Sequence, residues 1–180
     1  MSEIQKKYSH VTFIIGTFGY DSKCFEYWKN LKLRIKTLQL PFYSSDNEKM
    51  KIIVKNLPMN YSFYNNVLEA LKYKESAEYK KCRVKVNLLG MHGINDSEQQ
   101  VEDFIKLLEP IKNKIEVRIS FLNYTKQAEK YGYVSPTFDR LREIEKKLRD
   151  NCFECYSFGN ISNEEIGCGQ LVQNKISSDK

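Results

Sequence analysis

Residues 83–108 read RVKVNLLGMHGINDSEQQVEDFIKLL, and this stretch decides the fold. Its first part, residues 83–89, is rich in valine and leucine and stops at Gly90, which is typical of a buried strand. The following segment has a helix N-cap, either Asp96 or Ser97, with glutamine three residues further on. Its apolar residues on one helical face are Val101, Phe104, Ile105 and Leu108. A strand that leads directly into an amphipathic helix predicts an α/β fold built from parallel strands.

The rest of the chain repeats this alternation of strands and helices. Further strands are predicted at residues 10–15, 35–40, 115–122 and 153–158. Further helices are predicted at residues 24–31, at residues 48–54, after the cap residue Ser62, and from Ser135-Pro136. The amphipathic face of the last helix is marked by Phe138, Leu141, Ile144, Glu145 and Leu148. Pro41 is expected to end the second strand, because proline has no N–H for the ladder. We therefore expect one domain at residues 1–173, followed by a frayed tail at residues 174–180.

Composition bounds the class of protein. The 180 residues are 41% hydrophobic and 29% charged, which is enough apolar material for a sizeable core. No apolar run reaches the roughly 18–20 residues of a membrane helix, and the first residues are too polar for a signal peptide. We expect a soluble, cytoplasmic protein without a membrane partner. The formal net charge of +6 comes from lysines along the whole length, so it permits an RNA partner without requiring one.

Five cysteines, an odd number, favour reduced thiols over a disulfide framework. Cys168 lies between two glycines, a context that suits a presented thiol better than a packed one. Cys152 and Cys155 have the Cys-x2-Cys spacing of a metal site, but further ligands would have to come from Cys168 and one of the histidines, His92 or His10. The alternating pattern of residues 153–158 predicts instead that the two cysteines flank or enter a strand, so no metal site is predicted.

Other candidate site residues follow the predicted strands. Asn123 ends the fourth strand at the face where α/β barrels build active sites, so it is either a ligand contact or a turn residue. His92 follows the third strand at the same mouth, where it is an acid, a base, an RNA contact or a plain loop histidine. Because the sequence identifies no partner carboxylate, the loop histidine is favoured. Aromatic and basic residues that either stack on unpaired RNA bases or pack in a loop are Tyr124, Tyr131, Tyr133, Lys126 and Lys130.

The sequence Gly167-Cys168-Gly169-Gln170-Leu171 resembles the C-terminal signature of a known enzyme family. These are the radical S-adenosylmethionine (radical-SAM) enzymes that methylate carbon 2 of adenine in ribosomal and transfer RNA. Four further segments are similar, in chain order, to the family's third to sixth barrel strands: His10-Val11-Thr12, Leu38-Gln39-Leu40, residues 83–89 and residues 118–123. Ile94-Asn95-Asp96-Ser97 resembles the turn between the fifth strand and the helix that follows it. The resemblance implies a partial (βα) TIM-like barrel, the C-terminal half of a radical-SAM core, with about four parallel strands plus a C-terminal strand. It also implies that Cys168 carries the methyl group and that Asn123 contacts S-adenosylmethionine.

The chain also departs from this family. It has no Cys-x3-Cys-x2-Cys to hold the [4Fe–4S] cluster and no Gly-Glu-Pro turn for the cofactor's amino group, and no ordinary side chain replaces a low-potential cluster. Ile14-Ile15-Gly16 and Gln39-Leu40-Pro41 replace the family's strand serine and Ser-Leu-His. The S-adenosylmethionine and the cluster are therefore implied by the resemblance only, and this chain by itself is expected to make no radical.

Two functions follow as hypotheses. In the first, the chain is the C-terminal portion of a radical-SAM RNA (adenine) methyltransferase-like protein. A missing N-terminal half-barrel or a partner chain would then pair with the β-branched edge at residues 11–14 (Val11-Thr12-Phe13-Ile14). In the alternative, it is a degenerate half-barrel that binds RNA or protein without catalysis. A small-molecule enzyme is disfavoured, because no paired carboxylates, Ser–His–Asp set or phosphate loop is found.

Overall fold

Five parallel strands form a single sheet in the order β1-β2-β3-β4-β5. The computed structural model describes residues 1–19, 21, 23–54, 56–121 and 130–158, with the backbone only for residues 121 and 158. The strands are β1 (Phe13–Gly16), β2 (Ile35–Phe42), β3 (Arg83–Gly90), β4 (Glu116–Phe121) and β5 (Cys155–Phe158). All four neighbouring pairs are parallel. The predicted partial (βα) barrel is therefore confirmed.

Helices separate the strands along the chain. They are α1 (Ser2–Lys7), α2 (Lys23–Asn30), α3 (Asn47–Ile53), α4 (Phe63–Ser76), α5 (Glu98–Leu108) and α6 (Phe138–Asp150), with a 3-10 helix at Glu109–Lys114. The cap Ser62 forms as predicted. Of the two predicted candidates for the cap of α5, Asp96 and Ser97, it is Ser97 that caps the helix, in a capping box with Gln100. The N-terminal helix α1 is not predicted from the sequence, and the side chain of Gln5 joins it to the backbone of Lys32 and Arg34. None of the helices in the described residues is long and apolar enough to cross a membrane.

One face of the sheet forms the core with the helices. Leu40 and Phe42 of β2 and Val86 of β3 are buried on this face, and the Phe42 ring meets the ring of Phe104 of α5 edge-on at 4.7 Å. Helix α6 contributes Leu141, Ile144 and Leu148, each at most 1% exposed. Burial of such side chains is the main favourable contribution to folding. The opposite face of the sheet therefore carries the residues at the alternate positions of each strand.

Pro41 does not end β2, contrary to the sequence prediction. The strand continues to Phe42, and Pro41 pairs in register with Asn87 of β3. The carbonyl of Gln39 accepts the last bond from the β1 side, from the N–H of Thr17 at 2.9 Å. Alternate residues of a strand bond to the same neighbouring strand, so position 41 faces the same side as Gln39, which is the β1 side. Because β1 has already ended at this level, the lack of an N–H on Pro41 costs the sheet no hydrogen bond.

Three predicted element starts are wrong by two residues or more, and one of them is β5, which begins at Cys155 rather than at residue 153. Strand β1 begins at Phe13 rather than at residue 10, because its register partner Ile35 is the first residue of β2. Helix α6 begins at Phe138 rather than at Ser135-Pro136, and the hydroxyl of Thr137 accepts the N–H of Arg140 as its N-cap. Phe138 itself is 40% exposed instead of buried on the apolar face of the helix.

Helix α6 approaches the carboxyl end of β3 closely at Gly90. A Cβ atom at this position would lie 2.7 Å from Cδ2 of Leu141 and 3.3 Å from the ring of Pro136. Only glycine fits there without displacing its neighbours. This contact fixes the start of α6 beside the loop that follows β3.

Candidate functional site

The face of the sheet opposite the core is polar, and we call it the polar face. It comprises Gln39, Lys85, Asn87, Glu116, Arg118, Ser120 and Tyr156. Register places Lys85 beside Gln39 and Glu116, and Arg118 beside Asn87 and Tyr156. A parallel sheet is normally covered by apolar residues on both faces, so polar residues at these positions indicate a site rather than a second core.

A charged cluster lies at the centre of the polar face. The Lys85 ammonium is 2.9 Å from Oε2 of Glu116 and donates to the Tyr156 hydroxyl at 2.5 Å, while Arg83 approaches Oε1 of Glu116 at 3.5 Å. Both Lys85 and Glu116 are buried. Desolvation lowers the pKa of Lys85, but the hydrogen bonds to Tyr156 and Glu116 outweigh it, so the pKa lies above its ordinary value. Lys85 is therefore a fixed cation of the polar face.

Asn87 adds an acceptor to the polar face. Its amide nitrogen donates a long bond to Oε1 of Gln39 at 3.4 Å. Its Oδ1 is buried and accepts no hydrogen bond from any residue the structure describes. A Cβ built on the nearby Gly16 would meet nothing within 4 Å, so there is space at this end of the sheet. A ligand that donates a hydrogen bond fits here, because a buried acceptor without a partner is costly.

The polar face was missed by sequence reasoning. A signal was present, since Lys85 interrupts the run Val84 to Leu89 and Glu116 and Arg118 alternate with apolar residues in β4. Charged residues at alternate positions of strands predict a sheet with one polar face. The contacts themselves depend on strand order, because Lys85 and Tyr156 are 71 residues apart.

The loop after β3 is held in one conformation by Asn95. Its Oδ1 accepts the N–H of Met91 at 2.8 Å, and its amide donates to the carbonyls of Leu89 at 2.7 Å and Tyr43 at 3.0 Å. Gly93 takes a φ of +73°, a value that favours glycine. The loop therefore stands at the carboxyl end of the sheet as a rigid element, where α/β barrels build active sites.

His92 has a partner carboxylate in this loop, contrary to the sequence prediction. Its Nδ1 lies 2.8 Å from Oδ2 of Asp96, while Oδ1 of Asp96 accepts the N–H of Gly93 at 2.7 Å. The side chain of Asp96 is 8% exposed and that of His92 is 70% exposed. Arg140 of α6 donates to the carbonyl of Asp96 at 2.7 Å. The carboxylate fixes the imidazole ring and leaves Nε2 facing outward, an arrangement used for proton transfer and for ligand binding.

A second loop, residues 130–138, lies beside the first and leads into α6. The N–H of His92 donates to the carbonyl of Val134 at 2.8 Å and so joins the two loops. Tyr131 is 54% exposed, with the ring of Tyr133 at 6.2 Å and the ammonium of Lys130 at 6.0 Å. We call the two loops, residues 91–97 and 130–138, the rim.

The cysteines do not form a metal site among the described residues. Cys155 begins β5 and is buried, and Cys152 is exposed in the turn before it with a φ of +64°. The two therefore flank and enter a strand, as the alternation predicts. Burial raises the pKa of both Cys82 and Cys155 to about 11. His10 precedes β1 at the amino end of the sheet, so it does not join His92, and the described residues contain no group of three potential metal ligands.

Comparisons with known proteins agree on the fold. The chain is similar to a radical SAM methyltransferase from Sphaerobacter thermophilus, with 18% sequence identity and a TM-score of 0.70 over 87% of this chain and 43% of that chain. The chain has a radical-SAM-like fold. It is also similar to a domain of pyruvate-formate lyase-activating enzyme from Bacteroides vulgatus, with 12% identity and a TM-score of 0.64 over 88% and 89% of the two chains. No protein-family model matches the chain, and no curated protein does. The chain thus spans less than half the length of the methyltransferase.

An iron–sulfur cluster is implied by the sequence resemblance alone, and the described residues do not fit one. Their cysteines are Cys24 in α2, Cys82 just before β3, and Cys152 and Cys155 at β5. A cluster needs several thiolates that converge on one point, and no three potential metal ligands come together among the described residues. On the polar face, the unpartnered acceptor of Asn87 and the nearby cation of Lys85 suit a ligand that carries both a hydrogen-bond donor and a carboxylate.

Two predicted site residues, Cys168 and Asn123, lie outside the described residues, as do Tyr124 and Lys126. Asn123 follows the last residue of β4, Phe121, by two positions. Their roles stay predictions, and so does the resemblance to the adenine-methylating family.

Proposed function

We propose that this chain is the C-terminal part of an S-adenosylmethionine-dependent methyltransferase that acts on RNA. In this proposal Cys168 carries the methyl group and Asn123 contacts the cofactor. The polar face of the radical-SAM-like sheet is the single observation that supports it most. S-adenosylmethionine, when bound, supplies the methyl group, and the chain supplies the groups that hold and orient it.

The residues proposed to hold the cofactor differ in their chemistry. Oδ1 of Asn87 accepts a hydrogen bond from an amino or hydroxyl group. Lys85 and Arg83 share the single carboxylate of Glu116, so the positive charge in excess attracts the carboxylate of a ligand. Glu116 and Tyr156 keep Lys85 in place through bonds of 2.9 and 2.5 Å. Such groups, fixed before the ligand arrives, bind without a further loss of side-chain entropy.

The proposal also requires a cluster-bearing segment, and the edge of the sheet is where it would pair. Strand β1 is the first strand of the sheet, so one side of its backbone has no neighbour in the described sheet. Ile14 is 64% exposed there. An unpaired edge strand is a template for another strand, so pairing of residues 11–14 with a further parallel strand would extend the barrel.

Cofactor binding tests the proposal directly. We expect saturation-transfer NMR to show contact between the chain and S-adenosylmethionine. Asn87→Ala should weaken the affinity about tenfold, the value of one hydrogen bond of about 1.4 kcal/mol. Asn30→Ala, an exposed change at the end of α2, is the matched control and should leave the affinity unchanged. The proposal is contradicted if the folded wild-type chain shows no saturation transfer to S-adenosylmethionine, or if the two variants bind it with equal affinity.

Methyl transfer tests the role of Cys168. With a polypeptide that supplies the cluster and the preceding strands, transfer to RNA is expected for the wild type and for Cys152→Ala, which removes an exposed thiol elsewhere. Cys168→Ala should abolish transfer, because no other thiol takes its place. Transfer that survives in Cys168→Ala would refute the assignment.

A further inference from the structure

We propose that the rim binds an unpaired nucleotide of single-stranded RNA, with His92 and Tyr131 as its two contact residues. The inference rests on the proposed function, because it locates the RNA of that reaction. It concerns a surface at the carboxyl end of β3 and β4, whereas the proposed cofactor residues lie on the polar face of the sheet.

The first contact is the outward edge of His92. Its Nδ1 is bound to Asp96 at 2.8 Å, and none of the described residues hydrogen-bonds its Nε2. The ring is 70% exposed although its carboxylate partner is 8% exposed. A buried carboxylate thus holds an exposed imidazole in a single orientation. Nε2 is then ready to hydrogen-bond a phosphate, a ribose hydroxyl or a base edge.

The second contact is an exposed aromatic ring with a cation beside it. Tyr131 is 54% exposed, and the ammonium of Lys130 lies 6.0 Å from the centre of its ring. The same pairing recurs at the start of α6, where the guanidinium of Arg142 lies 4.2 Å from the centre of the ring of Phe138, itself 40% exposed. Exposed rings provide faces on which unpaired bases stack, and adjacent cations attract the phosphates that follow each base.

The two contacts are held together as one surface. The N–H of His92 donates to the carbonyl of Val134 at 2.8 Å, so the loops that carry His92 and Tyr131 are bonded to each other. Arg140 adds a second link, from α6 to the carbonyl of Asp96 at 2.7 Å. Because these bonds hold the two loops together, binding loses less entropy than it would on loops without such bonds.

The combination of charge and rings favours RNA over a protein or a membrane. A surface that binds an apolar protein partner is expected to have exposed rings without cations over them. At the rim, by contrast, a lysine and an arginine lie over the two exposed rings. The chain carries a formal net charge of +6, which favours a polyanion. The unpaired state of the nucleotide follows from the rings, because bases in a duplex do not expose their faces.

Fluorescence anisotropy with a labelled single-stranded RNA of about 12 nucleotides is the first test. Tyr131→Ala should weaken binding at least fivefold, the lower limit of about 1 kcal/mol for stacking of one base. His92→Ala should weaken it about two- to tenfold, as expected for one hydrogen bond. The matched controls are His10→Ala and Tyr27→Ala, which remove an exposed histidine and a tyrosine that is 62% exposed, both far from the rim in the chain. Both controls should bind as the wild type does, and a duplex of the same sequence should bind more weakly than the single strand.

The chain contains only two histidines, so imidazole NMR signals give a second readout that needs no variant. Addition of the RNA should shift the signals of His92 and leave those of His10 in place. The proposal is overturned if the wild type fails to bind at the roughly 10⁻⁴ M limit of non-specific affinity. It is also overturned if the rim variants bind as tightly as the controls, or if His10 shifts and His92 does not.

The two proposals fail separately. If the chain binds S-adenosylmethionine but no RNA at the rim, the RNA-binding inference is refuted and the proposed cofactor site on the polar face stands. If the chain does not bind S-adenosylmethionine but RNA still shifts the NMR signals of His92, the methyltransferase proposal is refuted and an RNA-binding module remains.

Discussion

Replacement of Gly90 by alanine should test how α6 is held against the sheet. The new Cβ would lie 2.7 Å from Cδ2 of Leu141, whereas carbon atoms in contact are about 3.5–4.0 Å apart, so about 0.8–1.3 Å of overlap must be relieved. Leu141 is 1% exposed and has little room to move. Overpacking of this kind costs about 1–3 kcal/mol, and alanine returns about 0.4–1 kcal/mol by restricting the unfolded chain. We therefore expect the free energy of unfolding to fall by about 1–2 kcal/mol.

Urea denaturation of three variants measures this cost. Gly16→Ala is the control, because its Cβ meets nothing within 4 Å, and its stability should equal or slightly exceed that of the wild type. The melting temperature of Gly90→Ala should fall by about 2–8 °C, as about 2–4 °C per kcal/mol is usual for this length. The double variant Gly90→Ala/Leu141→Ala should be more stable than the sum of the single changes predicts, because the new methyl group occupies space that Leu141 vacates. Additive losses, or equal midpoints for Gly90→Ala and Gly16→Ala, would refute the reasoning.

Three further changes have defined outcomes. Glu116→Ala should lower the free energy of unfolding by about 3 kcal/mol, because it leaves the buried Lys85 without its carboxylate; a loss below about 1 kcal/mol in urea denaturation would contradict this. Ser97→Ala should cost about 1 kcal/mol by removal of the N-cap of α5, and circular dichroism with urea measures it. Burial raises the pKa of Tyr61 and Tyr73 from 10 to about 12. Both tyrosines therefore contribute stability that is fully present below pH 10 and is lost as the pH rises towards 12. In a pH titration, the absorbance of tyrosinate should rise together with unfolding in this range.

The order of strands and helices was predictable because each element has its own periodic pattern. Residues 83–90 and 98–108 show this best, since a valine- and leucine-rich run and a capped amphipathic segment coincide with β3 and α5. The ends of elements were less predictable, because neighbours decide them. Ser135-Pro136 predicts a helix start, yet the carbonyl of the preceding Val134 accepts the N–H of His92, and α6 begins only after Thr137.

The candidate site was predictable only in part, for a similar reason. The position of His92 after the third strand could be predicted from the order of elements. Its pairing with Asp96 could not, because it depends on a turn in which Gly93 has a φ of +73° and donates to the same carboxylate. The contacts of Lys85 with Glu116 and Tyr156 depend on strand register over 71 residues, which local patterns do not contain.

The polar face limits what can cover this sheet. Parallel sheets are normally covered on both faces, and among the described residues the helices pack on the core face. Lys85 and Glu116 are already buried on the polar face and paired with each other, whereas Oδ1 of Asn87 has no partner among the described residues. An apolar layer would leave this acceptor unsatisfied, at a cost of about 1–3 kcal/mol. A covering group must therefore bring hydrogen-bond partners of its own. A polar cofactor held by strands with inward polar residues meets this requirement, whereas an apolar dimer interface does not, so a partner at β1 should extend the barrel around a bound ligand rather than close over an empty face.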